Sequence, residues 1–320
     1  MKKILAMLLA VMMLLSVASV AMAEGDTTTA TIKKNYTLAN ADTGSVAPAT
    51  TFGFDIVAVG IQDGPQGKDE KDMPALTASD VEFTGAEEKN IPITIDPTAF
   101  PGAGIYTYKV TEKIPADTAK ILGVDYDSTT KYLKITIVNG ENDTLVLAGT
   151  ALVKEDGTGS HKEDSFVNTY KAGMLTVSKT VAGTGSSKND TFSFTVTFDK
   201  GEAVEQWINN ITTNATKGEG NTYTFTLKHG ESMEFKNIPY GVNYTVTETP
   251  ANGYTCDKTD GKVEGTIGAS NIKAAADYVN TKNMTIDTGV MLDSMPYVLV
   301  LAVVGAAVIA LIAKKRRAED

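Results

Sequence analysis

The sequence predicts an all-β fold made of two tandem β-sandwich domains. Alternating runs rich in Thr, Val, Ile, Tyr and Phe recur along the chain, and Gly, Asn and Asp separate them, as is typical of short strands joined by turns. Thr51–Val57 and Thr191–Thr197 are two such runs. The mature region has no long helical period, and only a short helix around Ala203–Asn209 is expected. This pattern favours sandwiches of the immunoglobulin-like kind.

The chain repeats a set of motifs in the same order, which predicts two homologous domains. Each half contains a strand with Lys, an aromatic strand, a segment ending in Val-Thr-Glu and a Val-Asn-Thr segment. In the first half these are Thr31–Lys34, Thr51–Phe54, Gly104–Glu112 and Phe166–Thr169; in the second they are Thr176–Lys179, Thr191–Phe194, Gly241–Glu248 and Tyr278–Thr281. We expect domains at residues 24–171 and 172–283, joined end to end with little linker.

The first 23 residues predict a secretory signal peptide. Lys2 and Lys3 precede an apolar run, Ile4–Val20, and Ala21–Ala23 provides a small-x-small cleavage site. A transmembrane anchor is the alternative interpretation. The polar residues that follow the cleavage site directly favour removal of the segment.

The last part of the chain, residues 284–320, includes an apolar segment at 297–313 and a basic tail, Lys314–Arg317. As a helix the apolar segment would be about 25 Å long, which is short for a hydrocarbon core of about 30 Å. The basic tail would stay in the cytoplasm. These features alone indicate a membrane anchor near the C-terminus.

A motif before the apolar segment favours a second interpretation. Ile286–Gly289, followed by a spacer, the apolar run and the basic tail, resembles the cell-wall sorting signal of Gram-positive surface proteins. In that signal a sortase cleaves between Thr and Gly, here Thr288 and Gly289, and the membrane segment is left behind. Thr285 and Ile286 stand where the common signal has Leu and Pro.

The composition excludes several classes of function. The chain has 29 Lys+Arg against 39 Asp+Glu, a net charge of −10, whereas nucleic-acid recognition relies on basic patches. Cys256 is the single cysteine, so no internal disulfide forms, and we expect a semi-buried residue rather than a reactive thiol. The stretch Lys68–Asp72 lacks metal-loop spacing. The sequence offers no Ser/His/Asp or Cys/His constellation, so no metal, cofactor or substrate turnover is expected.

Strand alternation places polar residues on faces that should be hydrophobic. Side chains two residues apart share a face of a strand, so Lys34 points inward and its neighbour Lys33 points outward. The residues that fall on inward faces are Lys34, Glu112 and Asn168 in the first half, and Lys179, Glu248 and Asn280 in the second.

A buried Lys, Glu and Asn could form a covalent crosslink. Burial lowers the pKa of Lys and raises that of Glu, which gives a neutral amine beside a carboxylic acid. The amine can attack the carboxamide carbon of Asn while Glu shuttles protons, and enforced proximity lowers the barrier. A buried Lys–Glu ion pair with Asn hydrogen-bonded nearby is the alternative, but the same trio in both halves favours the crosslink.

These features together resemble the major backbone pilins of Gram-positive bacteria, particularly the streptococcal two-domain type. Domains of the collagen-adhesin B kind in that family carry intramolecular Lys–Asn isopeptide bonds, formed once with the help of Glu. The resemblance implies bonds from Lys34 to Asn168 with Glu112 assisting, and from Lys179 to Asn280 with Glu248 assisting. Beyond this single turnover no enzymatic activity is implied.

The resemblance also implies a covalently polymerised, cell-wall-anchored pilus, reached through a membrane-bound precursor. A pilin sortase would join the carboxyl of Thr288 to a Lys of the next subunit, for which Lys162 is the candidate and Lys154 and Lys171 are competitors. The implied partners are other copies of the chain, the pilin sortase, the housekeeping sortase, minor pilins and peptidoglycan. The alternative function is a monomeric wall-anchored adhesin that binds a host ligand.

Overall fold

The computed structural model describes residues 28–154, 165–200 and 215–284, together with helical residues at 300–302 and 304. The short helix expected at 203–209 lies outside these residues, as do the signal peptide, Lys162, Thr288, Gly289 and nearly all of the apolar segment. In the part of the chain that is described, no helix is long and apolar enough to cross a membrane. Strands dominate the described ranges, and the all-β prediction is confirmed.

The strands fall into two groups along the chain, and one strand is common to both. The first group is β1 (Thr28–Ala39), β2 (Thr50–Phe52), β3 (Phe54–Gln62), β4 (Val81–Phe83), β5 (Glu87–Ile95), β6 (Gly104–Glu112), β7 (Val124–Asp125), β8 (Lys131–Asn139) and β9 (Leu145–Lys154). The shared strand is β10 (Ser165–Ala182). The second group is β11 (Phe192–Phe198), β12 (Thr216–Lys217), β13 (Thr222–Leu227), β14 (Ser232–Pro239), β15 (Asn243–Glu248), β16 (Thr255–Cys256), β17 (Lys262–Thr266) and β18 (Lys273–Thr281).

Each half is built around a sandwich of two main sheets, and β2 and β4 pair as a further small sheet in the first half. In the first half, β1 lies between β5 and β10, and a second sheet has the order β3-β6-β8-β9. In the second half, β10 lies between β14 and β18, and the other sheet has the order β12-β13-β11-β15-β17. Apolar residues from both sheets of each half form a common core, because alternate positions of every strand face inward.

The first and last strands of each half pair in parallel. β1 pairs with β10 in the first half, and β10 pairs with β18 in the second. Lys34 is opposite Phe166, two residues before Asn168, and Lys179 is opposite Tyr278, two residues before Asn280. The inward Lys and Asn of each half are therefore diagonal neighbours on one face, in the same register.

Strand β10 changes its buried face as it passes from one half to the other. Even-numbered residues such as Asn168 and Tyr170 are buried in the first half, and odd-numbered residues such as Leu175 and Lys179 are buried in the second. The switch occurs at Ala172 and Gly173, which are both buried, and the pairing with β14 shifts register just after them. The sequence-based boundary near this point therefore lies within a continuous strand.

Side chains also connect the two halves. The side chain of Asn40 donates to the carbonyl oxygen of Ala172 at 3.3 Å and to the hydroxyl of Tyr240 at 2.7 Å. Asp42 forms an exposed ion pair with Lys273 at 2.6 Å. Because one strand and these contacts join the halves, the junction is a packed surface.

We predict that Gly173→Ala destabilises the second half. A methyl group at this position would collide with the carbonyl oxygen of Ile272 and lie 2.9 Å from Cγ2 of Ile267. Overpacking of this kind costs about 1–3 kcal/mol, so thermal unfolding should show a lower Tm. Gly268→Ala is the control, because nothing lies within 4 Å of its added methyl group. Equal melting temperatures for the two variants would contradict this packing.

Candidate crosslinking sites

Lys34, Glu112 and Asn168 meet in the core of the first half. The Nζ atom of Lys34 lies 2.6 Å from Oε2 of Glu112, and Nδ2 of Asn168 donates to Oε1 of the same carboxyl group at 2.5 Å. Lys34 and Asn168 are 0% exposed and Glu112 is 6% exposed. One carboxyl group thus bridges the amine and the amide nitrogen, away from water.

Lys179, Glu248 and Asn280 form the equivalent group in the second half. The Nζ atom of Lys179 lies 2.8 Å from Oε1 of Glu248, and Nδ2 of Asn280 donates to the same oxygen at 2.6 Å. All three residues are at most 2% exposed. The structure therefore brings together both trios that strand alternation places on inward faces. Lys33, by contrast, is partly exposed and pairs with Glu88.

The Phe-x-Phe motif of each repeat lies beside the Lys and the Glu. Glu112 is the last residue of β6 and is paired with Phe54, and Glu248 is the last residue of β15 and is paired with Phe194. Phe52 and Phe192, which lie two residues before these aromatics, contact the amines. The Nζ atom of Lys34 lies 4.5 Å from the ring centre of Phe52. The Nζ atom of Lys179 lies 4.3 Å from the ring centre of Phe192. The first ring of each Phe-x-Phe motif therefore covers one side of the amine.

Burial drives the first site towards uncharged groups. Burial lowers the pKa of the Lys34 amine, and the hydrogen bond and charge of Glu112 oppose this only in part. Burial likewise raises the pKa of Glu112, against the opposing contacts from Lys34 and Asn168. In the second site burial lowers the pKa of Lys179. A neutral amine is the form that can act as a nucleophile.

Two aspartates beside these sites were missed by the sequence reasoning. Asp127 accepts a hydrogen bond from the main-chain N–H of Val167 at 3.0 Å, and Asp257 accepts one from Val279 at 2.8 Å. Each aspartate holds the residue that directly precedes the Asn of its trio. The two aspartates share a sequence pattern, because Gly123–Asp127 and Gly253–Asp257 both read Gly-x-x-x-Asp. A Gly and an Asp at this spacing are common in turns, so the pattern alone does not identify the aspartates as part of the sites.

Cys256 lies against the second site. Its thiol donates to Oε2 of Glu248 at 3.2 Å, and Cys256 is paired with Asn280 between β16 and β18. The residue is half-buried, as the sequence indicates, and burial raises the pKa of the thiol. Tyr126 occupies the corresponding position of the first repeat.

The remaining candidate residues concern assembly. Thr288, Gly289 and Lys162 lie outside the described residues, so their roles stay predictions. Lys154 is exposed at the end of β9, and Lys171 is paired with Asp125 at 2.8 Å. Within the described ranges, no group of three or more His, Cys, Asp and Glu side chains is arranged to hold a metal ion.

Comparisons with known proteins support the resemblance to pilins. Residues 30–171 match the family described as the Spy0128-like isopeptide containing domain, and residues 173–282 match a domain family of unknown function. The chain is 29% identical over 307 residues to a pilin of Streptococcus pyogenes serotype M1, covering 87% of this chain and 88% of that protein. It is also 32% identical over 125 residues to the pilus tip adhesin Cpa of Streptococcus pyogenes, covering 37% of this chain and 18% of that protein.

A solved structure has the same fold. The crystal structure of the major pilin from Streptococcus pyogenes matches with a TM-score of 0.52 at 25% sequence identity, covering 81% of this chain and all of that one. The predicted resemblance to streptococcal major pilins and the predicted two-domain fold are therefore confirmed.

We predict that the Cys256 thiol is slow to react in the folded protein. The thiolate is the reactive form, and burial raises the pKa of this thiol while its hydrogen is donated to Glu248. Iodoacetamide at pH 7.5 should alkylate the native chain at least about tenfold more slowly than the urea-unfolded chain. Similar rates in the two states would contradict the described environment.

Proposed function

We propose that this chain, whose residues 30–171 match the Spy0128-like isopeptide containing domain, is the structural shaft subunit of a covalently polymerised pilus on the cell surface. The observation that carries the proposal is the buried Lys–Glu–Asn trio, which occurs in both halves in the same register between the first and last strands. Such a pair of sites would lock both sandwiches covalently without a disulfide.

The first site supports a self-catalysed amide bond between Lys34 and Asn168. The neutral amine attacks Cγ of Asn168, a C–N bond forms, and the carbonyl electron pair moves onto Oδ1. Glu112, as a carboxylic acid, gives its proton to the amide nitrogen, which leaves as ammonia. The resulting carboxylate takes a proton from the Lys nitrogen, so Glu112 returns to its starting form.

The hydrogen bonds suit this exchange of protons. Glu112 contacts the nitrogen that must lose a proton with one carboxyl oxygen, and the nitrogen that must gain one with the other. Because the three groups are held in the core before reaction, little entropy remains to be lost in the transition state. Lys179, Glu248 and Asn280 support the same reaction in the second half.

The crosslinks fit the mechanical role of a shaft. Under the proposed polymerisation, tension enters at Lys162, just before β10, and leaves through Thr288. An amide from Lys179 to Asn280 would carry that tension directly from β10 to β18. Residues 180–279 would then be bypassed, a segment that could otherwise extend by roughly 340 Å at about 3.4 Å per residue.

Assembly requires partners outside the chain. A pilin sortase joins Thr288 to the acceptor Lys of the next copy, the housekeeping sortase attaches the fibre to peptidoglycan, and minor pilins complete it. The chain aligns along 88% of the streptococcal pilin but only 18% of the tip adhesin, which favours the shaft subunit over a monomeric adhesin. The protein therefore has a structural role. Glu112 and Glu248 each act once, in the formation of an amide within their own chain.

We predict that the measured mass of the mature protein is lower than the mass calculated from its mature sequence by two molecules of ammonia, about 34 Da. Intact-mass spectrometry measures this deficit. Glu112→Gln keeps the shape of the site but cannot exchange protons, so the deficit should fall to about 17 Da. Glu88→Gln, at the exposed partner of Lys33, is the control and should keep the full deficit. A wild-type protein at its full sequence mass would exclude the crosslinks.

We predict that polymerisation depends on Lys162. Co-expression with the cognate pilin sortase should give a ladder of large, detergent-resistant species, and Lys162→Ala should abolish it because the acceptor amine is gone. Lys154→Ala and Lys171→Ala are matched controls and should retain the ladder. Loss of the ladder in a control instead would move the acceptor to that residue, and a single wall-linked band in the wild type would favour the adhesin.

A further inference from the structure

The first site contains a hydrogen-bond donor that the reaction described above does not use. The main-chain N–H of Asp127 donates to Oδ1 of Asn168 at 2.7 Å. Because a main-chain N–H can only donate, this contact fixes the oxygen of the carboxamide towards Asp127. The nitrogen, which must leave as ammonia, is thereby fixed towards Glu112.

A buried polar cluster holds Asp127 in place. Its carboxylate accepts hydrogen bonds from the main-chain N–H groups of Thr129 at 2.9 Å and Val167 at 3.0 Å. Lys131 lies 3.5 Å from the same carboxylate and donates to the hydroxyl of Thr129 at 2.9 Å. The Lys131 side chain is 3% exposed and that of Asp127 is 10% exposed. Burying two charged groups is costly, so a pair held by this many contacts is a built feature of the site.

The second site has a similar carboxylate but lacks the donor. Asp257 accepts from the N–H of Val279, as Asp127 does from Val167, but its own N–H donates to the carbonyl oxygen of Val279. The Oδ1 atom of Asn280 is buried and has no hydrogen-bond partner among the described residues. The two sites therefore differ at the oxygen on which negative charge develops.

We propose that Asp127 is a positioning residue for the first crosslink. The Asp127 carboxylate, together with the adjacent Lys131, holds the main-chain N–H of Asp127 on the carboxamide oxygen of Asn168, where this N–H acts as an oxyanion donor. This inference rests on the proposed amide formation. When Lys34 attacks Cγ, the carbonyl electron pair moves to Oδ1, and the N–H at 2.7 Å stabilises that charge. Removal of a donor of this type typically lowers the reaction rate by about 10²- to 10³-fold.

The test compares matched variants in the full chain. Asp127→Ala removes the carboxylate that fixes the donor, so the first crosslink should form about tenfold or more slowly, while the second forms at the wild-type rate in the same molecules. Asp257→Ala removes the corresponding contact to β18 but no donor to the amide, so the second crosslink should slow by less than about threefold.

The rates come from a short pulse of cell-free synthesis followed by timed digestion and mass spectrometry of the two crosslinked peptides. Protease resistance of the first half, measured in the same samples, reports folding separately. The proposal expects Asp127→Ala to fold at close to the wild-type rate and to crosslink late. If Asp127→Ala does not fold, Asp127→Asn decides the question, because it keeps an acceptor for Thr129 but loses the one for Val167.

Three results would overturn the inference. The first is formation of the first crosslink at the wild-type rate in whichever Asp127 variant folds. The second is a delay of that crosslink that matches a delay in folding, which would make Asp127 a purely structural residue. The third is an Asp257→Ala variant that slows the second crosslink as strongly as Asp127→Ala slows the first. A wild-type chain without either crosslink would overturn the proposed function itself, and this inference with it.

Discussion

The structure depends on the burial of a Lys amine against a Glu carboxyl group in the core of each half. Lys34 and Lys179 are almost completely buried. Among the described residues each has one carboxylate within hydrogen-bond reach, and an aromatic ring lies against each amine. Two ions in such a place are expensive, and a hydrophobic pair of the same size would often be as stable. The geometry has a physical rationale if the ions are converted to a neutral amide, since that removes the charge and adds a covalent bond.

The continuous strand β10 determines how the two sites act together. It carries Asn168, the proposed electrophile of the first half, and Lys179, the proposed nucleophile of the second, so both proposed amides would end on one stretch of backbone. Its pairing with β1 and β18 is parallel, so a pull along the strand loads the inter-strand hydrogen bonds in shear. With both amides formed, that load would pass through covalent bonds, and the hydrogen bonds would only maintain the shape.

Much of this arrangement is predictable from sequence because it follows a strict period. Alternation with period two selects Lys34 over Lys33, and the second repeat provides an independent copy of the same pattern. The role proposed for Asp127 follows no period, because it depends on a main-chain N–H just after β7 and on a fold that brings β7 next to β10. The continuity of β10 could not be predicted from period two either, because the buried face of the strand changes at Ala172–Gly173. In the sequence, this change of pattern resembles a domain boundary.

The proposed amides would also explain how a pilus subunit with a single cysteine can do without disulfides. A disulfide needs two thiols and can be reduced, whereas the proposed amides use Lys and Asn side chains that the core already encloses. Cys256 illustrates the difference, since its thiol contacts Glu248 and burial raises its pKa, and both effects favour the protonated form over the reactive thiolate. Burial thus has opposite consequences for the two kinds of group: it lowers the pKa of the Lys amines, which favours the neutral nucleophilic form that the proposed reaction needs, and it raises the pKa of the thiol, which disfavours the reactive thiolate.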